Sequence, residues 1–248
     1  MLKKLIVASL LSYLFGLLIG IFWLSHHPST RPSPAPLFSD IPNIKERKAA
    51  FFGYFLPMID RENNKLLKQR SRLASIAKKL ETSPNLTGRE QRDLDKLAKV
   101  FGLAETEPRS AQVNELLLRV DVIPPALVLA QAANESAWGQ SRFAREGNNY
   151  FGQWCYKKGC GLLPSKRNAN ANHEVRKFNS PAASVAAYFR NINTHRAYAG
   201  LRALRAQLRA QGEIASGHAL AAGLRSYSER GEEYITELRK MIKINKLE

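Results

Sequence analysis

Acidic side chains are scarce in this 248-residue chain, which carries 21 Asp and Glu against 38 Lys and Arg, a formal net charge of +17. That balance says nothing about fold. It fits either a solvated basic surface or a polyanionic partner such as nucleic acid, anionic lipid or an acidic wall polymer. Cysteine is rarer still: Cys155 and Cys160 are the two present, too few for a four-ligand zinc site without more Cys or His nearby. They are either two ordinary cytosolic thiols or the ends of a short disulfide loop in an oxidising compartment. His173-Glu174 lacks the continuation of an H-E-x-x-H zinc motif, and His195 and His218 stand isolated. No G-x-S-x-G elbow and no phosphate-binding glycine loop occurs. A Cys155/His173 peptidase pair exists only on paper. No metal and no cofactor is expected.

Long apolar runs are also few, and the clearest is N-terminal. Lys3 and Lys4 precede an uncharged stretch from Leu5 to Leu24. At about 1.5 Å per residue it reaches roughly 30 Å as a helix, the hydrocarbon thickness of a bilayer. The leading lysines favour the cytoplasmic side and place the rest of the chain across the membrane. The run ends in Trp23-Leu24-Ser25-His26-His27-Pro28, a poor cleavage site, so an uncleaved anchor is preferred over a signal peptide. The expectation is an anchor over residues 1–27 in the inner membrane, with the catalytic part periplasmic.

Five prolines between Pro28 and Pro42 forbid regular helix and read as a semi-rigid linker over 28–42. Residues 43–120 then read as a charged helical prefix. Phe51, Phe52, Phe55, Leu56 and Ile59 fall at helical spacing, as do Leu66, Leu67, Leu73, Ile76, Ala77 and Leu80. Pro84 breaks the pattern. Thr87-Gly88-Arg89-Glu90 has the spacing of a capping box, and the helix it opens should stop near Gly102 and Pro108. No chemistry is visible here. The prefix reads as packed against the next domain rather than as a separate binding module.

A different segment opens at Pro124-Pro125 and runs as Ala126-Leu127-Val128-Leu129-Ala130-Gln131-Ala132-Ala133-Asn134-Glu135-Ser136-Ala137-Trp138-Gly139. Proline suits a first helical turn, and a helix this apolar on all faces should be buried. Its one carboxylate is Glu135, with Gln131 a turn earlier on the same face. Burial disfavours the ionised carboxyl and raises its pKa, the condition for protonating a departing glycosidic oxygen. From burial alone, a catalytic glutamate and a merely structural one are equally served.

The same stretch, Ala130-Gln131 through Glu135-Ser136 to Trp138-Gly139 and Ser141, resembles the A-Q-(x)3-E-(S/T)-x-W-G-x-S signature of the bacterial N-acetylglucosaminidase family. Asn149-Tyr150-Phe151-Gly152 resembles its N-x-F-G turn. Val175 to Ser180, Asn193 to Leu201, and Leu224 to Tyr227 with Tyr234 resemble its later segments. The resemblance covers roughly Asp121 to Lys246. With the helical prefix and the Cys155–Cys160 loop, the chain is most similar to the Bax-type group within that family.

This resemblance implies a mainly α, lysozyme-like α+β fold: a helical lobe, a small β-hairpin lobe between about Gln153 and Phe178, and a cleft between them, in residues 121–248. It implies Glu135 as general acid and Tyr198 beside it as catalytic residues. Gln131, Trp138, Asn149, Tyr150, Phe151 and Tyr227 are then substrate-binding candidates, although core packing serves Phe151 and Tyr227 equally well. Family members often carry a second carboxylate on the hairpin, but Leu163-Pro164-Ser165-Lys166-Arg167 has none. Glu174 is the nearest acid. Three mechanisms stay open, in this order: help from the substrate's own acetamido group, Glu174 as a distant base, or a damaged site.

Arg190, Arg196, Arg202, Arg205 and Arg209 form a stripe at helical spacing, read as a solvated face. The expected activity is cleavage of the β-1,4 bond after N-acetylglucosamine in peptidoglycan. Muramidase or lytic transglycosylase cleavage is the alternative, as is a lysozyme-like module that binds glycan without cutting it. The expected partners are glycan strands and, through the N-terminal helix, the membrane. Export argues against nucleic acid.

Overall fold

The computed structural model describes residues 34–83, 85–103, 108–164 and 173–248. The expected anchor, the start of the Pro-rich stretch and Ser165-Lys166-Arg167 lie outside them. Ala35–Glu248 form one compact unit. No helix among the described residues is long and apolar enough to cross a membrane.

The architecture is mainly helical with a small antiparallel sheet. Helix α1 (Ile44–Thr82) is followed by α2 (Gly88–Val100), α3 (Arg109–Arg119), α4 (Pro125–Ser136) and the short α5 (Arg142–Gly147). Strands β1 (Trp154–Cys155), β2 (Gly161–Leu162) and β3 (Glu174–Arg176) come next, then α6 (Pro181–Thr194), α7 (Ala199–Ala210), the one-turn α8 (Gly217–Leu220) and α9 (Glu232–Ile244). The strand order is β1-β3-β2. The register pairs Trp154 with Val175, Cys155 with Glu174, and Leu162 with Val175. The expected β element is therefore where the sequence places it, with a third strand at its centre.

Helix α1 starts where Asn43 accepts hydrogen bonds from the amides of Lys45 and Glu46, an N-cap that satisfies otherwise orphaned donors. Its buried stripe is Phe51, Phe55, Met58, Ile59, Leu66, Leu73 and Ile76. Leu56 and Leu67, expected on that stripe, face outward at 40% and 47% exposure, because adjacent residues on a helix point about 100° apart. The stripe lies against α3, α4 and α6. Asn63 ties it down: its side chain donates to the Ile123 carbonyl (2.9 Å) and accepts from the Ile123 amide (3.0 Å). This buried two-way clamp fixes the chain just before α4.

The end of the Pro-rich stretch is seated on this body. Phe38 lies in a one-turn 3-10 helix, is buried, and packs on Phe51 with ring centroids 5.2 Å apart. A β-carbon at Gly139 would sit 2.4 Å from the Phe38 ring, so only glycine fits under it. The Thr87–Glu90 capping box is present. Lys79 also binds Glu90 at 2.7 Å, and together these hydrogen bonds hold the Glu90 carboxyl down at about 2.

The arginine stripe is a correction. Arg202 and Arg205 are buried, at 5% and 1% exposure, while Arg190, Arg196 and Arg209 stay at the surface. Arg202 donates to the carbonyls of Ile192 and His195 at the end of α6. Arg205 donates to the carbonyls of Leu118, Asp121 and Val122 and to Asn193 Oδ1. Helix ends leave carbonyls without partners, and a guanidinium fork can satisfy several at once. Buried Asp121 balances the charge, with Arg70, Arg205 and Arg209 all within ion-pair distance. Burial still pulls the Arg205 pKa down to about 10.

Candidate active site

Helix α4 carries the site. It has proline at N1 and is buried on nearly every face, as its sequence requires. It stops at Ser136, three residues short of the expected Gly139. Ala137 and Trp138 take left-handed backbone conformations (φ 49° and 58°), and Gly139 follows at φ 78°. For non-glycine residues this geometry costs about 1–2 kcal/mol each. Ser136 Oγ holds the turn, donating to the Ala132 carbonyl and accepting from the Gly139 amide (2.8 Å). The helix thus ends abruptly and leaves Glu135 in its last turn, half-buried at the edge of the core.

Four tyrosines surround Glu135. Tyr234 on α9 shares a hydrogen bond with its carboxylate. Gln131 donates to the Tyr234 hydroxyl (2.9 Å) and accepts from that of Tyr188 on α6. Tyr227 stacks on Tyr234 with centroids 5.6 Å apart and rings 2° from parallel, and its hydroxyl donates to the Phe151 carbonyl (2.8 Å). Tyr198 lies 5.9 Å from the Tyr227 ring. Tyr188, Tyr198 and Tyr227 are all close enough to feel the Glu135 charge. From the other side, the turn at Gly152 (φ 63°) passes over the carboxylate: a β-carbon there would meet Glu135 Oε2 at 3.5 Å.

The electrostatics follow from this packing. Burial raises the Glu135 pKa above the usual carboxylate value. Hydrogen bonds from Tyr234 and Asn134 and the charge of Arg230 pull the other way, and nearby Glu237 adds to the rise. Burial likewise raises all four tyrosine hydroxyls. They stay neutral, and Tyr234 alone of them bonds the carboxyl, which keeps its proton to higher pH than a solvated one. A group in that state can protonate an oxygen placed against it.

Other candidates fall elsewhere. Gln131 is fully buried and serves the tyrosine hydroxyls, so it positions the site and cannot touch a substrate. Asn149 is also buried. It donates to the carbonyls of Gln153 and Arg176 and accepts from the amides of Phe151 and Gln153, which shapes the turn and leaves nothing for a sugar. Tyr150 packs against Phe55 (4.6 Å) and Phe151 stacks on Tyr188 (4.3 Å). Both are core residues, not sugar platforms. Trp138 is half-buried between Phe51 and Phe52, with the Lys48 ammonium 4.7 Å over its ring.

Glu174 is not poised for catalysis. It is 8% exposed, and its two oxygens accept from the amides of Gly159 (2.9 Å) and Gly161 (2.8 Å). Gly159 lies in the loop that the Cys155–Cys160 disulfide closes, and Gly161 opens β2 directly after it. The carboxylate is the staple of the sheet. At Gly161 a β-carbon would strike the Val175 carbonyl at 2.0 Å, so the strand pair requires glycine there.

Tyr188, Arg230 and Glu237 were not singled out from the sequence. Tyr188 gave one signal: a hydroxyl in the apolar run Ala182 to Phe189 must find a buried partner. Arg230 and Glu237 pair at 2.7 Å across Tyr234, and nothing local announces their proximity to a residue a hundred positions earlier.

Residues 110–247 match the family model described as mannosyl-glycoprotein endo-beta-N-acetylglucosaminidase. The match begins within α3. The chain is similar to Protein bax of Escherichia coli (strain K12), with 36% identity over 206 residues, covering 83% of this chain and 72% of that protein. No solved structure matches.

Proposed function

This chain belongs to the mannosyl-glycoprotein endo-beta-N-acetylglucosaminidase family, and on that premise we propose that it is a lysozyme-like hydrolase of peptidoglycan glycan strands that cleaves after N-acetylglucosamine. The observation that carries this reading is Glu135: a half-buried carboxyl at the end of a buried helix, its pKa raised by desolvation, bonded to Tyr234 and close to Tyr188, Tyr198 and Tyr227.

In this reading protonated Glu135 donates to the glycosidic oxygen as the bond to C1 breaks. The acetamido oxygen of the N-acetylglucosamine attacks C1 and closes an oxazolinium ring, whose nitrogen keeps its proton and whose positive charge faces the Glu135 carboxylate. A water then opens the ring, giving its proton to the Glu135 carboxylate and restoring the acid. Glu174 supports this choice by default, since two backbone amides already occupy it. Tyr234 and Gln131 hold the acid in place, and Tyr198 lines the same wall.

The body is proposed to work outside the cytoplasmic membrane, anchored through Leu5–Leu24. The Cys155–Cys160 disulfide supports an oxidising compartment.

The test is digestion of purified peptidoglycan by the full-length protein, with mass spectrometry of the released ends. Reducing N-acetylglucosamine ends are expected. Muramic or anhydro-muramic ends would make it a muramidase or transglycosylase instead, and no products at all would favour a binding module.

A further inference from the structure

A groove of about 720 Å³ lies between α1 and α9. Its lining includes Lys48 from α1, Trp138 from the turn after Glu135, and Thr236, Glu237, Lys240 and Ile244 from α9. Lys48 joins the two walls, donating to Asn245 Oδ1 at 3.1 Å beyond the end of α9 while lying over the Trp138 ring.

Three observations point to a ligand. Trp138 is displayed here in a left-handed backbone conformation, and strain of this kind gathers at sites of function. The acid and amine groups nearly balance, with Glu232, Glu233 and Glu237 against Lys48 and Lys240. That suits a neutral ligand rich in hydroxyl and amide groups better than an anion or a cation. Finally, two groove residues neighbour the Glu135 site: Trp138 lies in the turn just after Glu135, and the charge of Glu237 reaches its carboxyl. Glu237 also pairs with Arg230 on either side of Tyr234, whose hydroxyl meets the Glu135 carboxylate.

We propose that this groove is a further subsite for an N-acetylhexosamine residue of a glycan chain, continuous with the Glu135 site and walled on one side by α1. The sugar ring lies along the exposed part of Trp138, and Thr236, Glu237 and Lys240 bond its hydroxyl and acetamido groups. Lys48 lies outside residues 110–247 while the other lining residues lie inside them, so the segment preceding the family domain supplies one wall of this subsite. The inference rests on the glycan reading and extends it: the prefix helps hold the substrate.

The test is calorimetric titration of full-length Glu135→Gln protein, so that ligands stay intact whether or not the wild type cleaves them. The probes are N-acetylglucosamine dimer and tetramer. Thr236→Tyr is the added variant, since Thr236 is exposed and a larger ring there fills the groove without disturbing the core. The tetramer is expected to bind more tightly than the dimer. Thr236→Tyr should weaken the tetramer about tenfold and leave the dimer unchanged, with Trp138→Phe weakening it in the same direction. Equal tetramer affinity with and without Thr236→Tyr would overturn the subsite, as would no binding of either oligomer. Binding of a free stem peptide in the groove, blocked by Thr236→Tyr while the tetramer is unaffected, would overturn it in favour of a peptide site. Turnover measured separately on peptidoglycan tells whether the glycan reading itself has failed.

Discussion

At Glu135 burial and hydrogen bonding pull in opposite directions, and burial is the larger. A carboxyl whose folded pKa lies above its unfolded value leaves the folded state binding more protons. Its ionisation therefore costs stability as pH rises through the window between the two values, and below that window the cost is absent. Glu135→Gln should raise the melting temperature at neutral pH, with the gain vanishing below about pH 4; calorimetry across pH reads this. Tyr234→Phe acts in two ways. It removes a bond that favours ionised Glu135, so the alkaline limb of the pH–rate profile should move to higher pH. It also strands the buried Gln131 amide, at a cost of about 1–3 kcal/mol in denaturation experiments. A tyrosine that only bonded Gln131 would move the second quantity and not the first.

Among the elements, α4 and the small sheet show how much was legible in sequence. The Pro start of α4, its all-round apolar face and the capping box of α2 rest on neighbours along the chain, and each appears in the structure. The early end of α4 was not legible. Ala137 and Trp138 are ordinary helix residues, and the packing of Phe38 against Gly139 from far away in sequence accompanies the left-handed turn. The inward turn of Arg202 and Arg205 was hidden for the same reason, because their partners are carbonyls at the ends of other helices. Glu174 looked like a spare acid because its partners are backbone amides, which carry no letter in the sequence. Glu174→Gln should therefore loosen the sheet, costing about 1.5–3 kcal/mol for the charge-assisted bonds. It should speed amide exchange at Gly159 and Gly161 and lower turnover only modestly. Exchange measured by NMR separates this from a catalytic base, whose loss would leave exchange untouched and turnover collapsed.

Across the larger unit, the segment from Ala35 to Arg109 is part of one body with the family domain. Phe51 and Phe55 lie at 0% exposure beside Tyr150, so Phe55→Ala should cost about 3–5 kcal/mol and disturb the turn over Glu135. Asp121 makes the second long-range link, joining α1 to α7 through Arg70, Arg205 and Arg209. Asp121→Asn would leave buried guanidinium charge uncompensated, a loss of about 3–5 kcal/mol, visible as a lower denaturation midpoint. Part of the high positive charge is thus internal wiring rather than a surface for anions. All of this machinery holds one carboxyl at the edge of the core, and the most direct test of the account is turnover of glycan by Glu135→Gln beside the wild type, both confirmed folded by circular dichroism. The account predicts a loss of about 10²–10⁴-fold with the fold intact. Undiminished turnover by the folded variant would contradict it and move the chemistry to another group.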